Sequence, residues 1–146
     1  MPRDDVLPSS ADGRDDAVTL RHVDDLVAGN GRVLVELNII EGPLELALEH
    51  KRYLPYYMHG TGHFLGLDVH DVGAYEHEGQ PVELAEGMVI TCEPGLYISQ
   101  SSDAPARYRG IGIRIEDDVF ITGRGPEVLT AKVPKERAEI EALMRG

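Results

Sequence analysis

His63 in MHGTGHFLGLDVHDVG, Glu93 in ITCEPGLYI and Glu116 in IGIRIEDD are one imidazole and two carboxylates, each set in a distinctive local frame. A divalent cation of hard or borderline character takes carboxylate oxygen and imidazole nitrogen, and a fold can draw such donors from distant parts of a chain. The three are therefore candidate metal ligands. Each also has a plainer reading. A lone His is most often a hydrogen-bonded residue, Glu93 ahead of Pro94 and Gly95 suits a turn, and Glu116 opens a solvated EDD run. His63 stands out from that background. Gly60, Gly62 and Gly66 flank it and permit close backbone approach. His59 and His70 lie on either side, so three of the chain's six His fall within twelve residues. Two carboxylates balance one divalent ion and are too few for a bridged pair.

The elements that must hold these side chains can be read from periodicity. Met88 to Glu93 alternates, with Met88, Ile90 and Cys92 on one side and Val89, Thr91 and Glu93 on the other, which predicts a strand ending on Glu93. Pro94 and Gly95 then stop the ladder and turn the chain. Ile111 to Glu116 alternates as well, placing Ile111, Ile113 and Ile115 on an apolar face and Arg114 with Glu116 on the other. Burial of that second face requires charge partners. DDVFIT reads as a continuation or a partner strand. Upstream of Tyr53 the pattern is helical. Leu20, Val23, Leu26 and Val27 share a face that Gly29, Asn30 and Gly31 interrupt, a second helical stretch covers 32–40, and a third begins at Pro43 as a first-turn proline before LELALEH. Pro134 to Met144 reads as a closing helix with Ile140 and Leu143 turned inward. Residues 1–17 read as a disordered acidic tail and 18–146 as one domain of the α+β class.

Composition narrows the function further. The chain has 146 residues, 42% hydrophobic, and a formal net charge of −12. That charge disfavours nucleic acid and anionic membrane, whose binding depends on Lys and Arg. No apolar run is long enough to span a bilayer, and the amino terminus lacks the basic and apolar regions of an export signal, so the expected location is the cytoplasm. The single Cys92 is expected to be a buried structural thiol.

The segment Tyr57–Gly73, the EPG at Glu93–Gly95 and YRGIGIRIEDD at Tyr108–Asp118 resemble, in order, the carboxy-terminal part of the catalytic domain of aminopeptidase P, the Xaa-Pro aminopeptidase family of pita-bread metallopeptidases. The resemblance runs from about Arg32 to the end. It implies a truncated pita-bread fold, a curved antiparallel sheet with flanking helices. It also implies a metal-dependent hydrolase releasing the amino-terminal residue from peptides with Pro in second position. By resemblance, His63, Glu93 and Glu116 are ligands of a divalent metal, usually Mn2+, and Glu93 lies near the attacking water. His59 and His70 line the cleft, His70 being placed to hydrogen-bond the scissile carbonyl. Arg114 orients an acidic ligand.

Prolidase, an Xaa-Pro dipeptidase, shares the His63 pattern, but the short separation between the EPG and RIE motifs favours aminopeptidase P; methionine aminopeptidase lacks the LDVHDVG continuation. The family's two Asp ligands, in a frame like DxGxxxxxYxxDxTRT, have no match here. None of Asp4, Asp5, Asp12, Asp15, Asp16, Asp24 or Asp25 is assigned. The chain therefore reads as a fragment carrying one side of a dinuclear site, with room for one ion. A complementing amino-terminal half or a homo-oligomer would cover its open strand edges. The alternative is a non-catalytic remnant, a binding or dimerisation module on the same scaffold.

Overall fold

The structure, a computed structural model, describes residues 24–146. The expected tail over 1–17, and Leu20 and Val23 of the first helical face, lie outside the described residues.

Helix α1 spans Asp24–Glu36 and runs without a break through Gly29, Asn30 and Gly31, contrary to the interruption expected from the sequence. Close packing explains this. A side chain on Gly31 would stand 2.9 Å from Leu48 Cδ2 and 3.3 Å from Leu44 Cδ1, so its absence lets helix α2, Leu44–Glu49, lie against α1. That contact offsets the roughly 1 kcal/mol of helix propensity a glycine gives up. The chain leaves α1 through Asn38, in the left-handed region at φ 55°, while the Ile39 and Ile40 amides donate back to the Leu34 carbonyl. No second helix follows over 32–40. Pro43 caps α2 from the position just before its first turn, where a missing N–H costs nothing. Leu34, Ile40 and Ala47 form one buried cluster, with Tyr53, Tyr56 and Leu96 packed on it, so the helical layer already touches a strand.

Beyond a 3₁₀ turn at Leu54–Tyr56 the chain is mainly strand and loop up to a closing helix. A small hairpin, β1 (Glu76–His77) with β2 (Gln80–Pro81), precedes the main sheet. There β3 (Val89–Cys92) pairs antiparallel with β6 (Asp117–Thr122), which pairs with β7 (Gly125–Val128). β4 (Gly95–Tyr97) pairs antiparallel with β5 (Gly112–Arg114). The fold is thus α+β with antiparallel sheet, as expected. DDVFIT is a partner strand, and its partner is β3. Gly95 does not end the ladder but opens β4.

Two expectations about apolar faces are corrected. Ile111, Ile113 and Ile115 do alternate, yet all three are exposed, Ile113 at 62%. The closing helix forms as α3, Arg137–Met144, but Ile140 and Leu143 point outward. Neither face is buried.

Candidate metal centre

The site is built where two ladders meet. Cys92 faces Asp117 in the β3–β6 ladder and Gly95 faces Arg114 in the β4–β5 ladder, and these pairs share one register. Glu93 therefore lies opposite Glu116, and Pro94 opposite Ile115. Pro94 has no N–H to give, so the ladder is interrupted there, although its carbonyl still accepts the Ile115 amide at 3.1 Å. Two carboxylates facing each other across strands repel. His63 approaches from the other side of β3. The Leu65 amide donates to Val89, Thr91 to His63 and Glu93 to Thr61, at 3.0, 2.9 and 2.7 Å, so 61–65 lies along β3 as a further antiparallel segment. Gly62 makes this approach possible, since a side chain there would overlap the Thr91 carbonyl oxygen.

His63, Glu93 and Glu116 each offer a ligand atom, all within 4.8 Å of one another, and they form the one such cluster of three or more among the described residues. Glu93 is buried at 6% exposure, His63 is half-buried and Glu116 is exposed. His63 Nδ1 donates to the Phe64 carbonyl at 2.9 Å, which leaves the Nε2 lone pair facing Glu93 Oε1 at 3.3 Å. This is the tautomer a metal ligand needs. The donor set fits a divalent cation. Two facing carboxylates and an oriented imidazole lack only a positive charge between them, and the nearest one, Arg114 Nη1, stands off at 3.5 Å from Glu93 Oε2.

Hydrogen bonds extend outward from these side chains. Thr91 Oγ1 donates to Glu93 Oε1 at 3.0 Å and accepts the His63 amide at 3.0 Å. Arg114 Nε donates to the Tyr97 hydroxyl at 2.7 Å, a bond that raises the guanidinium pKa further above its ordinary value. His59 Nδ1 donates to the Gly60 carbonyl at 2.6 Å, so its Nε2 accepts from Tyr97 at 2.8 Å. His70 sits with its ring centroid 4.3 Å from that of His63. The structure thus brings His59, His70 and Arg114 around the ligand cluster. The charged face expected to need burial is open, with Arg114 and Glu116 both exposed. Cys92 is half-buried, and burial, then the charges of Asp117 and Glu93, push its thiol pKa up, in keeping with an inert residue.

Sequence reasoning missed Thr91, Tyr97 and Tyr57. Thr91 shares Glu93's face in the strand alternation, and that shared face was the available signal. Tyr97 follows the EPG turn and had no signal beyond its place in the motif. Tyr57 is 98% buried, its ring 4.7 Å from His59, and its hydroxyl sits beside Thr61 without a well-formed hydrogen bond. Burial, reinforced by the Glu93 charge, pushes its pKa up to about 12.

The model of metallopeptidase family M24 matches residues 34–123, more than half of the chain. The chain belongs to this family. Xaa-Pro aminopeptidase of Haemophilus influenzae is 50% identical over 121 residues, covering 83% of this chain and 28% of that protein. Xaa-Pro aminopeptidase of Escherichia coli is 52% identical over 111 residues, covering 76% and 25%. Among solved structures, proline aminopeptidase P II from Yersinia pestis superposes with a TM-score of 0.82 at 47% identity, over 88% of this chain and 30% of that one. Over the part it covers, this M24 chain has the pita-bread fold of its aminopeptidase P neighbours. It spans about a quarter of the length of the curated relatives it matches.

No helix among the described residues of this M24 chain is long and apolar enough to cross a membrane.

Proposed function

We propose that this M24 chain forms one side of the active site of a metal-dependent aminopeptidase that releases the amino-terminal residue from peptides with Pro in second position. The observation that carries the reading is the facing pair Glu93 and Glu116 with the His63 imidazole alongside, all within 4.8 Å. These three residues would hold a divalent cation, Mn2+ by family likeness. When bound, such an ion supplies Lewis-acid polarisation and lowers the pKa of water.

The chain's own residues do the rest. Glu93, buried and fixed by Thr91, accepts a proton from the attacking water and returns it to the leaving nitrogen. His70, exposed beside His63, donates to the scissile carbonyl as negative charge develops on it. His59 lines the cleft, its Nδ1 proton fixed by the Gly60 carbonyl. Arg114 orients Glu93 from 3.5 Å away.

Two carboxylates suit one ion. A dinuclear centre takes its further carboxylates from a complementing amino-terminal half or from a second copy, which would also cover Ile111, Ile113 and Ile115. The working unit is residues 18–146, in the cytoplasm, with no nucleic-acid or membrane partner. The short segment between the EPG and RIE motifs supports an aminopeptidase over a prolidase-like dipeptidase. The uncovered isoleucine face supports a second reading, a non-catalytic binding or dimerisation module.

Hydrolysis of an Arg-Pro-Pro peptide with added Mn2+, by the chain alone and mixed with a complementing half, decides between them. Glu93→Ala and Glu116→Ala are the controls. Peptide release that both controls abolish is the expected result. No release in either mixture, together with no bound cation by calorimetry, would leave the binding module as the reading.

A further inference from the structure

His70 is carried on the loop 66–72, and hydrophobic packing does not hold that loop: Leu67, Val69 and Val72 are exposed at 103, 70 and 91%. Polar bonds converging on Asp71 give it shape. Asp71 Oδ2 accepts the Leu67 amide at 3.2 Å and Oδ1 accepts the Val72 amide at 2.9 Å. The Asp71 amide donates to the Phe64 carbonyl at 3.0 Å, and Gly66 donates to the Asp68 carbonyl at 3.2 Å. A side chain on Gly66 would overlap Asp71 Oδ2, so the carboxylate fills space that only glycine leaves free. Asp71 is less exposed than the rest of the loop.

The Phe64 carbonyl joins this loop to the ligand cluster. It accepts the Asp71 amide and also His63 Nδ1–H, so the atom that anchors the loop orients the ligand imidazole. Phe64 itself is fixed, bridged to Ile90 of β3 and packed on Tyr75 at a centroid distance of 5.3 Å.

We propose that Asp71 is a positioning residue: its carboxylate and amide close the 66–72 loop onto Phe64 and hold His70 against His63. Its catalytic meaning rests on the function proposed above, and its geometry does not. The Asp71 carboxylate touches no ligand atom and acts through two imidazoles.

The test is NMR of the full chain and of Asp71→Ala, Asp71→Asn and Gly66→Ala. Asp71→Ala is expected to abolish the proton contacts between the His63 and His70 rings and to speed exchange of the Leu67 and Val72 amides about tenfold, with sheet amides unchanged. Asp71→Asn keeps one oxygen acceptor and is expected to retain the Val72 bond and lose the Leu67 bond. Ring contacts that survive in Asp71→Ala with both amides still protected would overturn the proposal. If Asp71→Ala does not fold, Gly66→Ala decides, because it displaces the carboxylate without removing it. Ring contacts persisting there alongside a fast Leu67 amide would equally overturn the proposal. In the peptidase assay Asp71→Asn is expected to lower kcat with little change in KM. A chain that cleaves no peptide in any form sinks the functional reading and leaves the ring contacts to judge Asp71.

Discussion

The Tyr97 hydroxyl accepts the Arg114 Nε–H at 2.7 Å and donates to His59 Nε2 at 2.8 Å. A guanidinium only donates and the Gly60 carbonyl at the other end only accepts, so every hydrogen between them has a single location. The chain of bonds fixes the His59 tautomer and braces Arg114 as it faces Glu93.

Tyr97→Phe removes both bonds while keeping the ring. Loss of two bonds of about 1 kcal/mol each around the site predicts a fall in kcat/KM of up to about 30-fold. The melting temperature should fall by a few degrees at most, carried mainly by the part-buried His59 bond because the Arg114 bond is exposed. Steady-state kinetics on an Xaa-Pro peptide and a melting curve check both halves of the expectation.

Cation affinity separates the ligands from their supports. Thr91→Val removes the donor to Glu93 and the acceptor of the His63 amide, and should weaken Mn2+ binding by about 10- to 100-fold, as expected for an outer hydrogen-bond partner. Glu93→Ala and Glu116→Ala should each weaken it more than Thr91→Val does. Isothermal titration calorimetry gives the ranking, and an unchanged affinity in Glu116→Ala would remove that residue from the site.

Gly62→Ala tests the close approach of 61–65 to β3. The added methyl meets backbone, the Thr91 carbonyl, which cannot rotate aside as a side-chain end could. Overpacking of this kind predicts a loss of about 3 kcal/mol in unfolding free energy, measured by denaturant titration. Cation binding should be lost with it, because His63 moves with the segment.

Tyr57 sets the alkaline limit. An unfolded tyrosine ionises near pH 10, whereas folded Tyr57 holds its proton up to about 12 because burial, and then the Glu93 charge, disfavour the anion. The folded pKa is the higher one, so this contribution to stability is fully present below pH 10 and is lost as pH rises from there through 12. Tyrosinate absorbance should show one late-titrating group that Tyr57→Phe removes. The same substitution should leave stability at neutral pH equal or slightly higher, since it deletes a buried hydroxyl without a well-formed bond.

Much of the site was legible in the sequence because strand alternation has a fixed period. The Met88–Glu93 and Ile111–Glu116 patterns placed Glu93 and Glu116 as the last residues of alternating runs; the structure puts Glu93 one residue past β3 and Glu116 between β5 and β6. Two kinds of information were not legible. One was register: no local pattern states that Glu93 faces Glu116, or that 61–65 runs along β3. The other was the surroundings of each face. Helix α1 passes through Gly29, Asn30 and Gly31 because Leu44 and Leu48 fill the space, a tertiary fact that local propensity contradicts. Ile111, Ile113, Ile115, Ile140 and Leu143 have the spacing of core residues, and spacing cannot say whether a covering element is at hand.

The interruption at Pro94 gives the facing glutamates a second significance. It lies at the seam between the β3–β6 and β4–β5 ladders, so repulsion between Glu93 and Glu116 acts on the continuity of the whole strand pair. A cation captured there would act as a rivet across the seam, and its binding energy would appear as folding energy through thermodynamic linkage. The melting temperature should then climb with free cation concentration, and a chelator should loosen the sheet with no peptide present.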